Sequence, residues 1–457
     1  MTIRHRIPLA VLLLAIVAGS SIGIVTPTET AQGDENTATA KPKPTLPTAV
    51  DVRDFGARGD GVADDTAALQ AAFDAAGYRS LKNPLERIAA VVRLPAGHYR
   101  ITKPLKLYEK HRHLVIEGTG GVDQFGAAPS DADARRSPFA ATQLIWDGPE
   151  GGSLIDVWSV SGLEMRHLGL IGSGKAGVLI DFNSRKGHSC GRITLEHMVF
   201  ARAKIGIRCG KESYRNSAGM TFSDIFFTDL ESAFQSHSHQ NMGYHFRRPR
   251  AWRVGTVIDV VEGGHLTTDL MTCLDCDRVV RIGKAWFNKG AFVFNNTRIE
   301  PKHSLKKRTV LCEIGPGEGT VIFNGVSRAK NASARDDHDT PAFIVGAGNQ
   351  VIVNGGSISG PVARLTGAQG EFPAWLQFDN CRFEENADPL KAIECNAFAG
   401  FELNNCMVIE DHRTSKERTV FGRTMYGRFV RYPESSGKAE VRDVIFTVKN
   451  EGGGQGE

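Results

Sequence analysis

The densest gathering of side chains able to move protons or bind anions lies between Asp229 and Arg253. It reads Asp229-Leu-Glu231-Ser-Ala-Phe-Gln-Ser-His237-Ser-His239-Gln-Asn-Met-Gly-Tyr244-His245-Phe-Arg247-Arg248-Pro-Arg250. Elimination in a uronate chain needs such parts: a cation against the carboxylate, a base for the C5 proton and an acid for the leaving oxygen. In an extended strand alternate residues share a face, so His237 and His239 project together. Tyr244 then supplies a proton donor, and Arg247 and Arg250 bind carboxylate, with the acids Asp229 and Glu231 close in sequence. The opposing reading is structural, with solvated histidines and arginines paired to Asp229, Glu231, Asp259 or Glu262. Both readings stay open on sequence. A His-x-His metal site completed by Asp229 or Glu231 is a weaker idea, because one ligand pair makes no coordination sphere.

Other clusters have plainer explanations. Asp60, Asp64 and Asp65 flank glycines ahead of a helical pattern, where carboxylates satisfy free backbone N–H groups and favour the helix dipole. Asp336-Asp337-His338-Asp339 has the composition of a calcium loop without the spaced ligands and glycine of an EF-hand, and reads as an exposed loop. Calcium is therefore a candidate cofactor that no motif demands. Cys273 and Cys276 form a lone Cys-x-x-Cys, which argues against zinc. Trp146, Trp158, Trp252, Trp286 and Trp375 would stack on sugar rings if they faced outward, but in a solenoid such residues more often fill core gaps.

What must position these residues is a repeat: apolar, any, apolar, any, then a small polar residue or glycine. Copies begin at Leu163, Ile193, Met220, Phe292, Val321, Val351, Leu376 and Phe401, with weaker ones at Tyr244 and His265, spaced 21–30 residues apart. Alternation with period two means strands. The fifth position, filled by His167, His197, Asp224, Arg248, Asp269, Asn296, Gly325, Gly355, Asn380 and Asn405, is rich in residues that tolerate a left-handed backbone and so turn a corner. One copy is one rung, and rungs stack about 4.8 Å apart. The expected fold is all-β, a single-stranded right-handed parallel β-helix of about 11–12 coils, ~50 Å long at that spacing. Cys381 and Cys406 fall on the same step of consecutive rungs, as a disulfide or as two stacked thiols. A helix begun by Asp65 or Thr66, burying Leu69, Ala72, Phe73 and Ala76 and ended by Gly77, would cover the open sheet edge at the first coil.

The chain has 457 residues, 41% hydrophobic and 23% charged, with 50 glycines and a formal charge of +4. That balance mildly favours an acidic partner, while the absence of a dense basic stripe with aromatics argues against nucleic acid. Arg4, His5 and Arg6 precede an apolar run from Ile7 to Val17 and then small residues, so residues 1–31 read as a signal peptide. A retained membrane anchor is the alternative, since Ile22 to Val25 prolong the run. A Thr/Pro/Lys-rich linker over 32–48, a β-helix over 49–450 and a Gly-rich tail over 451–457 follow. An exported protein is expected, secreted, periplasmic or on the cell surface. No oligomeric state follows from the sequence.

The run from Asp51 (Asp-Val-Arg-Asp-Phe-Gly-Ala-Arg-Gly-Asp-Gly-Val-Ala-Asp-Asp-Thr-Ala-Ala-Leu-Gln), with Leu94-Pro-Ala-Gly-His-Tyr and Leu114-Val-Ile-Glu-Gly-Thr-Gly, resembles the amino-terminal signature of the pectate-lyase-like superfamily, of the rhamnogalacturonase and epimerase type. The resemblance covers roughly residues 50–120 and implies a β-helix acting on or holding polysaccharide. Its polygalacturonase branch carries Asn-Thr-Asp, Asp-Asp, Gly-His-Gly and Arg-Ile-Lys segments on central rungs. Here the Asp-Asp pairs are Asp64-Asp65 and Asp336-Asp337, away from such rungs, so that mechanism does not transfer. The resemblance implies a lyase or glycoside hydrolase acting on acidic, uronate-containing polysaccharide, or a non-catalytic carbohydrate-binding or cell-surface structural β-helix.

Overall fold

Inward apolar residues at every second position cannot be buried by one rung alone, so each rung lays its strands in parallel on the rung before. The computed structural model describes residues 49–78, 90–120, 140–185, 188–211, 217–238, 240–284, 291–300, 307–329, 339–384, 392–411, 420–426, 428–431 and 447–450. These lie in one unit spanning Pro47–Glu457. The signal and linker region, and Asp336, Asp337 and His338 of the acidic loop, fall outside the described residues.

The unit is a parallel β-solenoid with three faces. On the first, Val50, Val92, Ile116, Met165, Leu195, Phe222, Phe246, Thr268, Phe294, Phe323, Val353, Phe378 and Leu403 stack in register as one inward ladder. Phe222 and Phe246 stack at 4.5 Å, and Phe294 and Phe323 at 4.9 Å. Past each first-face strand comes the corner. His167, His197, Asp224, Arg248, Asn296, Gly325, Gly355, Asn380 and Asn405 hold it with φ between 50° and 74°, the left-handed region that the fifth position of the repeat demanded. The second face follows, and then the third.

The third face stacks eleven strands: Leu105–Leu107, Ser153–Trp158, Val178–Asn183, 205–209, 232–237, 256–262, Arg278–Lys284, Val310–Ile314, Phe343–Gly346, Ala363–Thr366 and Ile393–Cys395. The coil number therefore agrees with the repeat.

One rung is corrected. The copy expected to start at His265 starts at Leu266, so Leu266 and Thr268 face inward and Leu270 takes the corner at φ 57°. Asp269 is thus an outward residue, not a turn residue. The slip arises because this rung puts a polar Thr268 inside and a bulky Leu270 at the corner, which blurs the alternation. The hydroxyl of Thr268 finds no hydrogen-bond partner.

Both ends are covered. The helix Thr66–Tyr78 buries Leu69, Ala72, Phe73 and Ala76 completely. It continues through Gly77, whose lack of a side chain is required: a Cβ there would lie 2.7 Å from the ring of His111. His111 is buried, with Nδ1 accepting from the Tyr108 N–H at 2.8 Å and Nε2 at 3.0 Å from Asp74. Burial holds its pKa below the usual histidine value. The Asp60, Asp64 and Asp65 carboxylates accept backbone N–H groups of Val62 and Ala63, Thr66, and Arg58 and Gly59 respectively. At the other end Arg428–Arg431 runs antiparallel to Ala399–Asn404, and Val420–Tyr426 antiparallel to Met407–Asp411. All eight cysteines are unlinked thiols.

Candidate functional site

The segment singled out by sequence does not stay on one face: it leaves the third face after His237, returns on the first at Tyr244 and turns at Arg248 onto the second. Asp229 sits at the corner between the second and third faces, φ 54°, between Arg202 and Arg253 of adjacent rungs. It forms an ion pair with Arg253 at 2.6 Å. Glu231 is exposed just past that corner. Tyr244 is inside the solenoid, its hydroxyl donating to the Ser217 carbonyl and its ring edge-on to Phe234 at 4.9 Å. Burial pushes its pKa well above the usual tyrosine value, so it offers no proton to the surface. Arg247 is exposed on the first face beside Asp269, while Arg250 is on the second face in register with Phe226 and Thr272. His239 lies outside the described residues. Among the described members of the group, His237 alone points outward from the third face.

That face carries the chemistry. A short phrase recurs in its strands: Leu154-Ile-Asp156-Val, Leu179-Ile-Asp181-Phe and Val257-Ile-Asp259-Val. Apolar neighbours turn inward and the acid outward. Register then aligns Lys106, Asp156, Asp181, Arg208, Gln235, Asp259, Arg281 and Glu313 in one outer row. Arg208 holds Asp181 with two parallel bonds, Nε at 3.0 Å and Nη2 at 2.5 Å. Arg281 holds Asp259 in the same way at 2.8 and 2.5 Å. Asp259 is only 1% exposed although it faces outward. Paired, hydrogen-bonded geometry of this kind is what a covered carboxylate requires.

His237 joins the row through Gln235. Its Nε2 is 3.0 Å from Gln235 Oε1, and Gln235 Nε2 donates to Asp259 Oδ2 at 3.1 Å. Since Oε1 can only accept, the bond places the imidazole proton on Nε2 and leaves the lone pair on Nδ1. Half-burial, then the positive charge of Arg208 and Lys211, hold the His237 pKa below the usual histidine value against the pull of Asp259 and Asp181. The ring is therefore neutral near pH 7, with an oriented basic nitrogen. The strand register also breaks here: Ser236 pairs with Val260 but His237 pairs with Glu262, leaving Val261 as an extra, exposed residue. Such a bulge re-aims the side chains beside it.

Three rungs earlier the row holds a second arrangement. The Asp156 pKa is raised, by burial first and by neighbouring Asp181 as well, against the bond donated by the Ser153 hydroxyl and the charges of Lys106 and Arg208. Asp156 thus keeps its proton more readily than an ordinary carboxyl group, while Asp181 beside it is held by Arg208. Trp158 stands two residues on, half-buried on the same outer side, whereas Trp146 fills the core. Trp286 lies outside the described residues. Among the described residues no three His, Cys, Asp or Glu side chains converge on a metal position. Sequence reading passed over Asp156, Asp181, Arg208 and Gln235. The recurring apolar-apolar-charged-apolar phrase was the signal that could have found them.

Comparison with a family model bears on the first coils. Residues 49–121 match the family model described as rhamnogalacturonase A/epimerase, pectate lyase-like. Mannuronan C5-epimerase AlgE2 of Azotobacter vinelandii is 52% identical over 113 residues, 21% of this chain and 10% of that protein. Mannuronan C5-epimerase AlgE1 of the same organism is 53% identical over 51 residues, 11% of this chain and 3% of that one. The chain thus spans a tenth or less of the length of these curated relatives. Among solved structures, DFA-IIIase from Arthrobacter chlorophenolicus A6 is 12% identical with a TM-score of 0.48, covering 81% of this chain and 89% of that chain. The A-module of the Azotobacter vinelandii mannuronan C-5 epimerase AlgE6 is 16% identical with a TM-score of 0.34, covering 77% and 88%. Residues 49–121 thus carry an amino-terminal signature similar to that of the pectate-lyase-like superfamily, at the head of a three-faced stack of coils.

Proposed function

We propose that this protein is an enzyme that acts on acidic, uronate-containing polysaccharide along the outer third face, with His237 as the base that removes the C5 proton. The observation that carries this reading is the relay from Arg281 through Asp259 and Gln235 to His237, which fixes the tautomer that keeps the lone pair on Nδ1. A base oriented by a second group, itself oriented by a third, is the general pattern of an activated proton acceptor. In the proposed step Nδ1 takes the C5 proton and the electron pair moves into the uronate carboxyl group. Arg208, whose Nη1 Asp181 leaves unused, and the exposed Lys211 offset the charge that develops there. Expelling the C4 oxygen, which takes up a proton from water, then gives an unsaturated end, whereas a proton delivered from water to the other side of C5 gives the epimer. The similarity to mannuronan C5-epimerases supports chemistry at C5.

A second reading is hydrolysis, favoured by the Asp156 and Asp181 pair, whose environments differ in the way an acid and its partner carboxylate do. The two sites are three rungs apart, ~14 Å, too far to serve one glycosidic bond together. Calcium stays a candidate partner of the substrate carboxylates. The charged and apolar start over residues 1–31 supports export, which cell fractionation tests directly.

The deciding experiment incubates the protein with polymannuronate, polygalacturonate and rhamnogalacturonan. Ultraviolet absorbance from unsaturated ends, or a changed C5 configuration by proton NMR, supports the first reading, provided that H237Q abolishes it. New reducing ends without unsaturation, lost in D156N, support hydrolysis. Binding without any product leaves a carbohydrate-binding scaffold.

A further inference from the structure

The first coils of the third face hold a group that the chemistry above does not use. Tyr108 follows the strand Leu105–Leu107 and Trp158 ends the strand Ser153–Trp158; Leu107 and Val157 are in register, so the two rings occupy stacked positions on adjacent rungs. Both are half-buried. The guanidinium of Arg185 lies over both, 5.0 Å from the Tyr108 centroid and 5.8 Å from that of Trp158. Its backbone N–H is tied to the Ser159 hydroxyl at 2.8 Å, while the side chain is exposed.

Arg185 differs from four other outward arginines of the solenoid. Arg208, Arg253, Arg281 and Arg248 each hold an aspartate. Arg185 makes no ion pair among the described residues, and neither does Lys106, exposed two residues before Tyr108. Two aromatic rings and two cations that make no ion pair among the described residues, Lys106 standing in register with Asp156, suit a ligand that is apolar on one side and anionic on its edge. A uronate ring has that form, with axial C–H bonds on its face and a carboxylate at its rim.

We propose that Tyr108, Trp158, Arg185 and Lys106 form an anchoring subsite for one uronate unit of the polymer, remote from the reacting unit. This rests on the reading that the protein acts on uronate chains at His237. Trp158 is three rungs from His237, ~14 Å at the rung spacing, so a chain lying along the face spans both positions only when it is several units long. The subsite therefore selects for length: the carboxylate takes the Arg185 guanidinium and draws it off the aromatic pair, and the sugar ring stacks in its place.

The test compares wild type with W158A, W158F and R185Q on uronate trisaccharides and hexasaccharides. W158A and R185Q should raise KM for the hexasaccharide about tenfold, the loss of one desolvated ring or cation contact. Neither kcat nor KM for the trisaccharide should change, and W158F, which keeps a stacking ring, should stay within about threefold of wild type. Circular dichroism confirms folding of each variant. Hexasaccharide KM values within twofold of wild type for both W158A and R185Q would overturn the subsite and leave the reading at His237 standing. If calorimetry shows hexasaccharide binding without turnover, weakened in W158A, the subsite stands and the catalytic reading falls. If wild type neither binds nor converts any uronate oligomer, both fall.

Discussion

Two outer rows run along this solenoid, and they solve the same stacking problem in opposite ways. On the first face Asn324 donates to Asn295 at 2.9 Å and Asn354 to Asn324 at 2.8 Å, with Asn295 donating to Asp269 at 2.7 Å. Like stacks on like, each amide satisfies the next, and water reaches the row. On the third face the row mixes Asp, Arg and Gln, Asp181 and Asp259 are buried, and the last member of the relay ends in a lone pair. A ladder of identical amides closes on itself, whereas a mixed row under cover leaves a group that still has something to give or accept. Regular stacking supports the molecule; the place where it is broken supports reactivity.

Substitution at the two rows should separate them. H237Q should lower turnover of a uronate polymer about 10²–10⁴-fold, the worth of a positioned base, while N324A on the first face leaves turnover unchanged. Equal losses in both would mean that the rows do not differ in role. D259N should cost about 2 kcal/mol in urea unfolding, because Arg281 and Gln235 lose the acceptor that orients them, and it should also slow turnover.

The pH dependence follows from burial. His237 and His111 have folded pKa values below that of the unfolded chain, so the unfolded state binds more protons as the pH falls beneath about 6.5. Their contribution to stability is complete above that pH and is lost as the pH drops toward the folded values. Denaturation midpoints measured from pH 7.5 down to 5 should decline, and less steeply in H237Q. The smallest effects concern packing. T268V should gain about 1 kcal/mol by replacing an unbonded buried hydroxyl with a methyl, and N354A should lose about 0.5–1 kcal/mol by removing one amide bond. Thermal melts resolve the opposite signs.

Much of the fold was legible in the chain. Period-two alternation, a residue tolerant of left-handed backbone every 21–30 positions and the opening signature led to the coils, the first corner and the capping helix. Legibility failed where the repeat weakened, as at Leu266, since a polar inward Thr268 makes a one-residue slip invisible. The site was harder to see. Reading Asp229 to Arg250 as one extended stretch put Tyr244, Arg247 and His237 together, but the passage from the third-face strand 232–237 to the first-face strand Tyr244–Arg247, and the corner at Arg248, send neighbours to different faces. The partners of His237 come from its own strand and from rungs 22–25 residues away, where register rather than proximity in sequence sets the neighbour.

The extra residue Val261 can be viewed as a dislocation in a one-dimensional crystal. Translation by one rung superposes each layer on the next until His237 meets Glu262, and there the lattice gains a single site. A dislocation cannot spread along a lattice that closes again one rung later, as this one does where Glu262 pairs with Lys284. Deleting Val261 would bring this layer into step with the one before it and pass the mismatch to the next, where Gly283 would become the surplus site.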